Sequence, residues 1–115
     1  MAGPAVHAGS PKHAAGVHSG LARWWAVRAG LLARRGDGQG AAAAWREAVT
    51  RCRHVDARPQ AAGPHTRNPL ARTLHHLGRR LAANGDLAAE AAFAESRSCR
   101  EMIGLPPFDR GDDAA

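Results

Sequence analysis

The chain has 115 residues, room for one small domain, and its 16 Lys+Arg against 10 Asp+Glu give a formal charge of +6. Of those basic residues 15 are Arg, and of the apolar 44% no fewer than 27 residues are Ala, while Leu, Ile, Val and Phe together number 17. Scarce β-branched residues and the absence of Tyr exclude an all-β fold and leave a lean all-α domain with unstructured ends.

Residues 1–20 hold Gly3, Pro4, Gly9, Pro11, Gly16 and Gly20 without apolar periodicity, and read as a flexible arm. The arm has one Lys and no apolar run of signal-peptide type, and no segment reaches the roughly 18 apolar residues of a membrane span. With only Cys52 and Cys99 available, the expectation is a cytoplasmic protein with two free thiols.

From Leu21 the pattern becomes helical. The first predicted helix runs from 21 to about 35, with Leu21, Trp24, Trp25, Val27, Leu31 and Leu32, and stops at Gly36. Asp37 is placed to cap the second, about 39–56, where Ala41, Trp45, Ala48 and Cys52 share one face. Pro59, Gly63 and Pro64 break the chain into a connector, residues 57–68. The third helix is expected to open with Asn68 as N-cap and Pro69 at the first helical position, followed by the stripe Leu70, Leu74, Leu77 and Leu81. Asn84-Gly85 ends it, and Asp86 is expected to cap a fourth helix running to about Ile103. Residues 105–115, rich in Asp, read as a mobile acidic tail.

Two halves of this pattern repeat. Leu21-Ala22-Arg23 recurs as Leu70-Ala71-Arg72, 49 residues later, and Gly36-Asp37 recurs as Gly85-Asp86 at the same offset. Ala41, Trp45 and Ala48 match Ala89, Phe93 and Ser96 once one residue is dropped from the second copy. Repeat one is 21–56 and repeat two 69–104, each a helix, a Gly-Asp turn and a second helix. Small residues let the helices approach, and one aromatic fills the gap beside them.

In these residues the chain resembles the tetratricopeptide repeat family, through Leu74-x2-Leu77-Gly78-x2-Leu81 in the first helix of a unit and Ala41, Trp45 and Ala48 in the second. Leu replaces both aromatics of the first-helix signature, and Arg28 and Ala29 replace Leu-Gly in the first copy, which keeps Trp25. The 49-residue spacing is like that of long-period bacterial variants. The resemblance implies two antiparallel hairpins stacked as a short solenoid; an Ala-rich four-helix bundle is the alternative. It also implies a non-catalytic scaffold that holds a partner peptide or helix in a groove lined by the first helices. Arg72, His75 and Arg79 of the second copy and Arg23 and Arg34 of the first are the candidate contacts, and together they would form a basic surface for an acidic peptide. Trp24, beside the frame residue Trp25, is the candidate for a stacking or dimer contact. Two repeats leave stacking faces open, so homo-oligomerisation is expected.

Other chemistries have weaker support. Arg34-Arg35, Arg51-x-Arg53 and Arg79-Arg80 offer phosphate contacts, but no zinc-finger or RNA-binding motif accompanies them, so an Arg-rich nucleic-acid-binding or regulatory protein stands as the alternative function. His75 and His76 are adjacent on a helix and point about 100° apart, which suits no shared metal ion, and no established ligand spacing occurs. The Gly36–Gly40 run lacks the Lys-Ser/Thr of a phosphate loop. Neither catalysis nor a cofactor is expected.

Overall fold

The computed structural model describes residues 11–56 and 64–110, with side chains from 17 to 56 and from 66 to 110. It is all-α. Helix α1 spans Pro11–Arg34, α2 Gly38–Asp56, α3 Pro64–Ala83 and α4 Ala89–Met102. They pack in chain order, α1 on α2, α2 on α3 and α3 on α4. Among the described residues α1 does not pack along α4, so the four helices form an open series and not a closed ring.

The two Gly-Asp turns are built alike. Gly36 and Gly85 take φ of 82° and 73°, the left-handed region in which only glycine is unstrained. At the first turn the Asp37 N–H bonds the Leu32 carbonyl at 2.9 Å and the Gly36 N–H bonds Ala33 at 3.0 Å. At the second, Asp86 bonds Leu81 at 2.9 Å and Gly85 bonds Ala82 at 3.0 Å. Each closes the orphan carbonyls of a helix end in the same doubly bonded manner. Asp37 then caps α2, its Oδ1 accepting the Gly40 N–H at 2.8 Å. Asp86 acts earlier than expected: its Oδ1 accepts the Ala88 N–H at 2.9 Å, and α4 begins at Ala89. The carboxylate orders the turn before the helix instead of capping the helix itself.

The core lies along α2, α3 and α4. Leu70, Leu74, Leu77 and Leu81 are all buried, each such side chain contributing about 1.5–3 kcal/mol of burial. Opposite them, Ala41, Ala42, Ala44 and Ala48 keep α2 thin enough to be approached from both sides. Gly78 does the same for α4, because a Cβ there would come 2.8 Å from the Phe93 ring. Ser96 is buried and donates to the Ala71 carbonyl at 2.6 Å, so its hydroxyl is satisfied.

Three boundaries differ from the sequence-based expectation. Residues 11–20, expected in a flexible arm, belong to α1: Pro11 suits a first helical position, and the His18 ring stacks on His54 of α2 with centroids 4.6 Å apart. That contact offsets the cost of about 1 kcal/mol for a helical glycine such as Gly20. α3 starts at Pro64, not Asn68, and Pro69 lies inside it. Thr66 and Arg67 hold the extra turn to Asp56, at 3.1 Å for the hydroxyl and 3.1 Å for the guanidinium Nη2. Asn68 instead accepts from Arg100 Nη1 at 2.8 Å. Finally, residues 105–110, expected in a mobile tail, fold back on α3 and α4. Phe108 is half-buried against His75 at 5.3 Å, and the Arg100 guanidinium lies 4.1 Å over its ring. Arg110 forms a two-pronged pair with Glu90, both bonds 3.0 Å. Residues 1–10, 57–63 and 111–115, from the expected arm, connector and tail, lie outside the described residues.

Candidate functional site: a basic cleft between the first helices

α1 and α3 stand on opposite sides of α2 and leave a cleft of about 390 Å³ between them. Its floor is apolar: Ala22 and Ala26 from α1, Cys52 and Val55 from α2, Pro69 from α3. Ser19, Thr66 and Thr73 add hydroxyls at the margin, and Arg23 and Arg72 add the charge. Among the described residues no carboxylate lines it. Both arginines are exposed, so their guanidinium groups remain accessible to water above the floor.

The floor is held by a short polar chain. Thr73 Oγ1 donates to the Pro69 carbonyl at 2.8 Å, taking up a carbonyl of its own helix, and lies 3.6 Å from Cys52 Sγ. Burial raises the pKa of the Cys52 thiol above its ordinary value, and the Thr73 contact only partly opposes this. Cys99 is raised too, by burial and then by the Glu95 charge. Both cysteines are free and buried; as neutral thiols they pack as small apolar groups and make poor nucleophiles.

The candidate residues divide between different places. Arg23 and Arg72, equivalent across the repeat, meet in one cleft. His75 does not join them: it is 2% exposed, enclosed by Phe93 and Phe108 at 5.7 and 5.3 Å. It is a core residue, because one helical turn beyond Arg72 the α3 surface turns under the folded-back chain. Arg79 follows it, donating through Nη1 to the Arg110 carbonyl and so fastening that segment. Arg34 is exposed in the last turn of α1, about 16 Å along the axis from Arg23 at roughly 1.5 Å per residue. Trp24 is exposed, edge-on to Trp25 at 4.9 Å, with the Arg28 guanidinium 5.7 Å over its ring. It is on α1's outer side, away from the cleft.

Val55, Pro69 and Thr73 were not singled out from sequence as site residues. They become cleft residues only because α2 passes beneath both first helices, a long-range arrangement with no local signal. Arg34-Arg35 is exposed, whereas the other two basic clusters are largely committed within the fold. Arg51 lies 3.9 Å from Glu47, Arg53 forms a two-pronged pair with Glu95, and Arg80 bonds Asn84 at 3.2 Å. Among the described residues no cluster of His, Cys, Asp or Glu has the geometry to hold a metal ion, and no helix is long and apolar enough to cross a membrane.

No protein-family model, curated protein or solved structure matches the chain.

Proposed function

We propose that the chain is a non-catalytic protein-binding module, a short tetratricopeptide-like stack of two hairpins that holds an acidic segment of a partner protein in the α1–α3 cleft. The observation that supports this reading is the meeting of Arg23 and Arg72 over an apolar floor that, among the described residues, no carboxylate lines. A carboxylate entering the cleft meets two guanidinium groups, each able to bind it with two parallel hydrogen bonds. Its neighbouring apolar side chains rest on Ala22, Ala26 and Val55. Use of Arg51, Arg53 and Arg80 for internal contacts favours a protein partner over nucleic acid, since these clusters would have to release their partners to reach phosphates. A cytoplasmic location without a cofactor fits this role.

The test is fluorescence anisotropy with a labelled peptide ending in Glu-Asp. The double variant Arg23→Glu/Arg72→Glu should weaken binding by more than about tenfold, because a charge-assisted hydrogen bond is worth about 1.5–3 kcal/mol and about 1.4 kcal/mol is a factor of ten. Equal binding by the variant would remove the cleft from the function. Retention of duplex DNA without peptide binding would favour the nucleic-acid alternative.

A further inference from the structure

The large apolar side chains that α1 exposes are Val17, Trp24, Val27 and Leu31, with Trp24 at 54% and Val27 at 59%. At about 100° per residue they fall on one side of the helix, turned away from α2 and from the cleft. Adding the 49-residue repeat offset carries them onto Thr66, Thr73, His76 and Arg80. Those four α3 residues face α2. Thr66 donates to Asp56 at 3.1 Å, Thr73 lies 3.6 Å from Cys52, His76 stacks on Trp45 with centroids 4.9 Å apart, and Arg80 borders Gly38. The bare stripe of α1 is therefore its stacking face, in register with the face through which α3 rests on a preceding helix.

The charges beside the stripe indicate what kind of helix belongs there. From Val17 to Arg35, α1 and its last turn carry Arg23, Arg28, Arg34 and Arg35 and no carboxylate. Among the described residues Arg23, Arg34 and Arg35 form no ion pair, and Arg28 is engaged only with the Trp24 ring. Contacts between helices elsewhere match arginine with carboxylate, as in Arg67 with Asp56 and Arg53 with Glu95. A second copy of α1 laid on this stripe would set arginine against arginine. The corresponding side of α4, around Phe93, is already covered by Phe108 and Arg110.

We propose that this face docks an amphipathic helix of another protein, its apolar stripe resting on Val17, Trp24, Val27 and Leu31. Asp or Glu residues flank that stripe and meet Arg23 and Arg34 on one side, Arg28 and Arg35 on the other. The surface shares Arg23 with the cleft but neither its floor nor Arg72, and the two are distinguishable by mutation at Trp24 and Val27.

The probe is a synthetic heptad peptide with Leu at the a and d positions and Glu at e and g, read through tryptophan emission and through anisotropy of a labelled copy. Binding should shift the emission to shorter wavelength and weaken as salt rises. Trp24→Glu/Val27→Glu should reduce affinity at least tenfold, a larger loss than Arg72→Glu gives. Both altered side chains are exposed, and far-ultraviolet circular dichroism checks that the helices remain. Trp24→Ala, which adds no charge, should give a smaller loss in the same direction. Equal binding of the counterpart peptide with Lys for Glu would overturn the proposal. So would binding to vesicles containing phosphatidylserine without peptide binding, or a dimer in sedimentation that Trp24→Glu/Val27→Glu dissolves.

Discussion

The two ends of the helix series are finished differently. At the C-terminal end the chain passes Gly104, turns back, and lays Phe108 and Arg110 over the surface formed by His75, Phe93 and Ser96. At the N-terminal end α1 turns Trp24, Val27 and Leu31 outward with nothing folded over them among the described residues. The same repeat unit thus ends in a closed face on one side and an apolar, arginine-edged face on the other. In a stack whose units contact only their neighbours, each end loses one partner, and closing an end needs a substitute for the absent helix. Residues 105–110 are that substitute at one end. The other end has no such cover among the described residues.

The sharpest way to break this comparison is to remove one aromatic from each end. Phe93 is buried, faces His75 and Gly78, and carries the Arg110 guanidinium 4.1 Å over its ring. Phe93→Ala should cost about 3–4 kcal/mol, transfer and cavity terms together. Trp24→Ala, on the open face, should stay within about 0.5 kcal/mol of wild type. Urea unfolding followed by circular dichroism measures both through the midpoint at constant slope. A comparable loss for Trp24→Ala would mean that its ring supports α1 from within and that the open face is not a free surface.

How much of this was legible in the sequence depends on whether a feature is local. The Leu70–Leu81 stripe and the Gly-Asp turns are local: spacing and a left-handed glycine specify them, and the structure has both. The start of α1 was missed because Gly16 and Gly20 argue against a helix, while the stacking of His18 on His54 that outweighs them joins residues far apart in the chain. Asn68-Pro69 looked like a helix start for the same kind of reason; Asp56, beyond the connector, moves the start back to Pro64. His75 was grouped with Arg72 and Arg79 by α3 periodicity alone. Its burial is set by Phe108, which the Asp-rich tail composition gave no reason to expect in a packed segment. Of the cleft, the arginines were legible through the repeat, whereas its floor depends on how α2 runs beneath two helices.

A milder break acts on the closing segment itself. Phe108 is half-buried, and Arg100 both covers its ring and donates to the Pro106 carbonyl at 2.7 Å. Phe108→Ala should cost about 1–2 kcal/mol, from partial apolar burial and an exposed cation–π contact. The more direct readout is limited trypsin digestion, which should cut after Arg110 faster in the variant. No change in cleavage would mean that the backbone turn at Gly104, with the Leu105 N–H bonded to Arg100 at 2.9 Å, holds the segment without its aromatic anchor.

The smallest effect is one of pH, and it too belongs to the closed end alone. Hydrogen bonds from Arg110, and then its charge, hold the Glu90 carboxyl below the ordinary glutamate range. A carboxyl lowered in the folded state contributes stability above its unfolded value, and that contribution disappears as pH falls through the lowered one. Acid should therefore free Arg110 before the helices themselves respond, since Glu90 is on the surface and the buried leucines do not titrate. The Arg79 bond to the Arg110 carbonyl has no acid step, so the segment should loosen and not detach. Amide protection at 108–110, corrected for the intrinsic exchange rate at each pH, should fall on acidification in the wild type and be low throughout in Glu90→Gln. Trp24 should report no matching transition, because no carboxylate lies between Val17 and Arg35. A tail whose protection stayed the same at all pH values in the wild type would show that the Arg110–Glu90 pair does not contribute to closing this end, and would leave that task to Phe108.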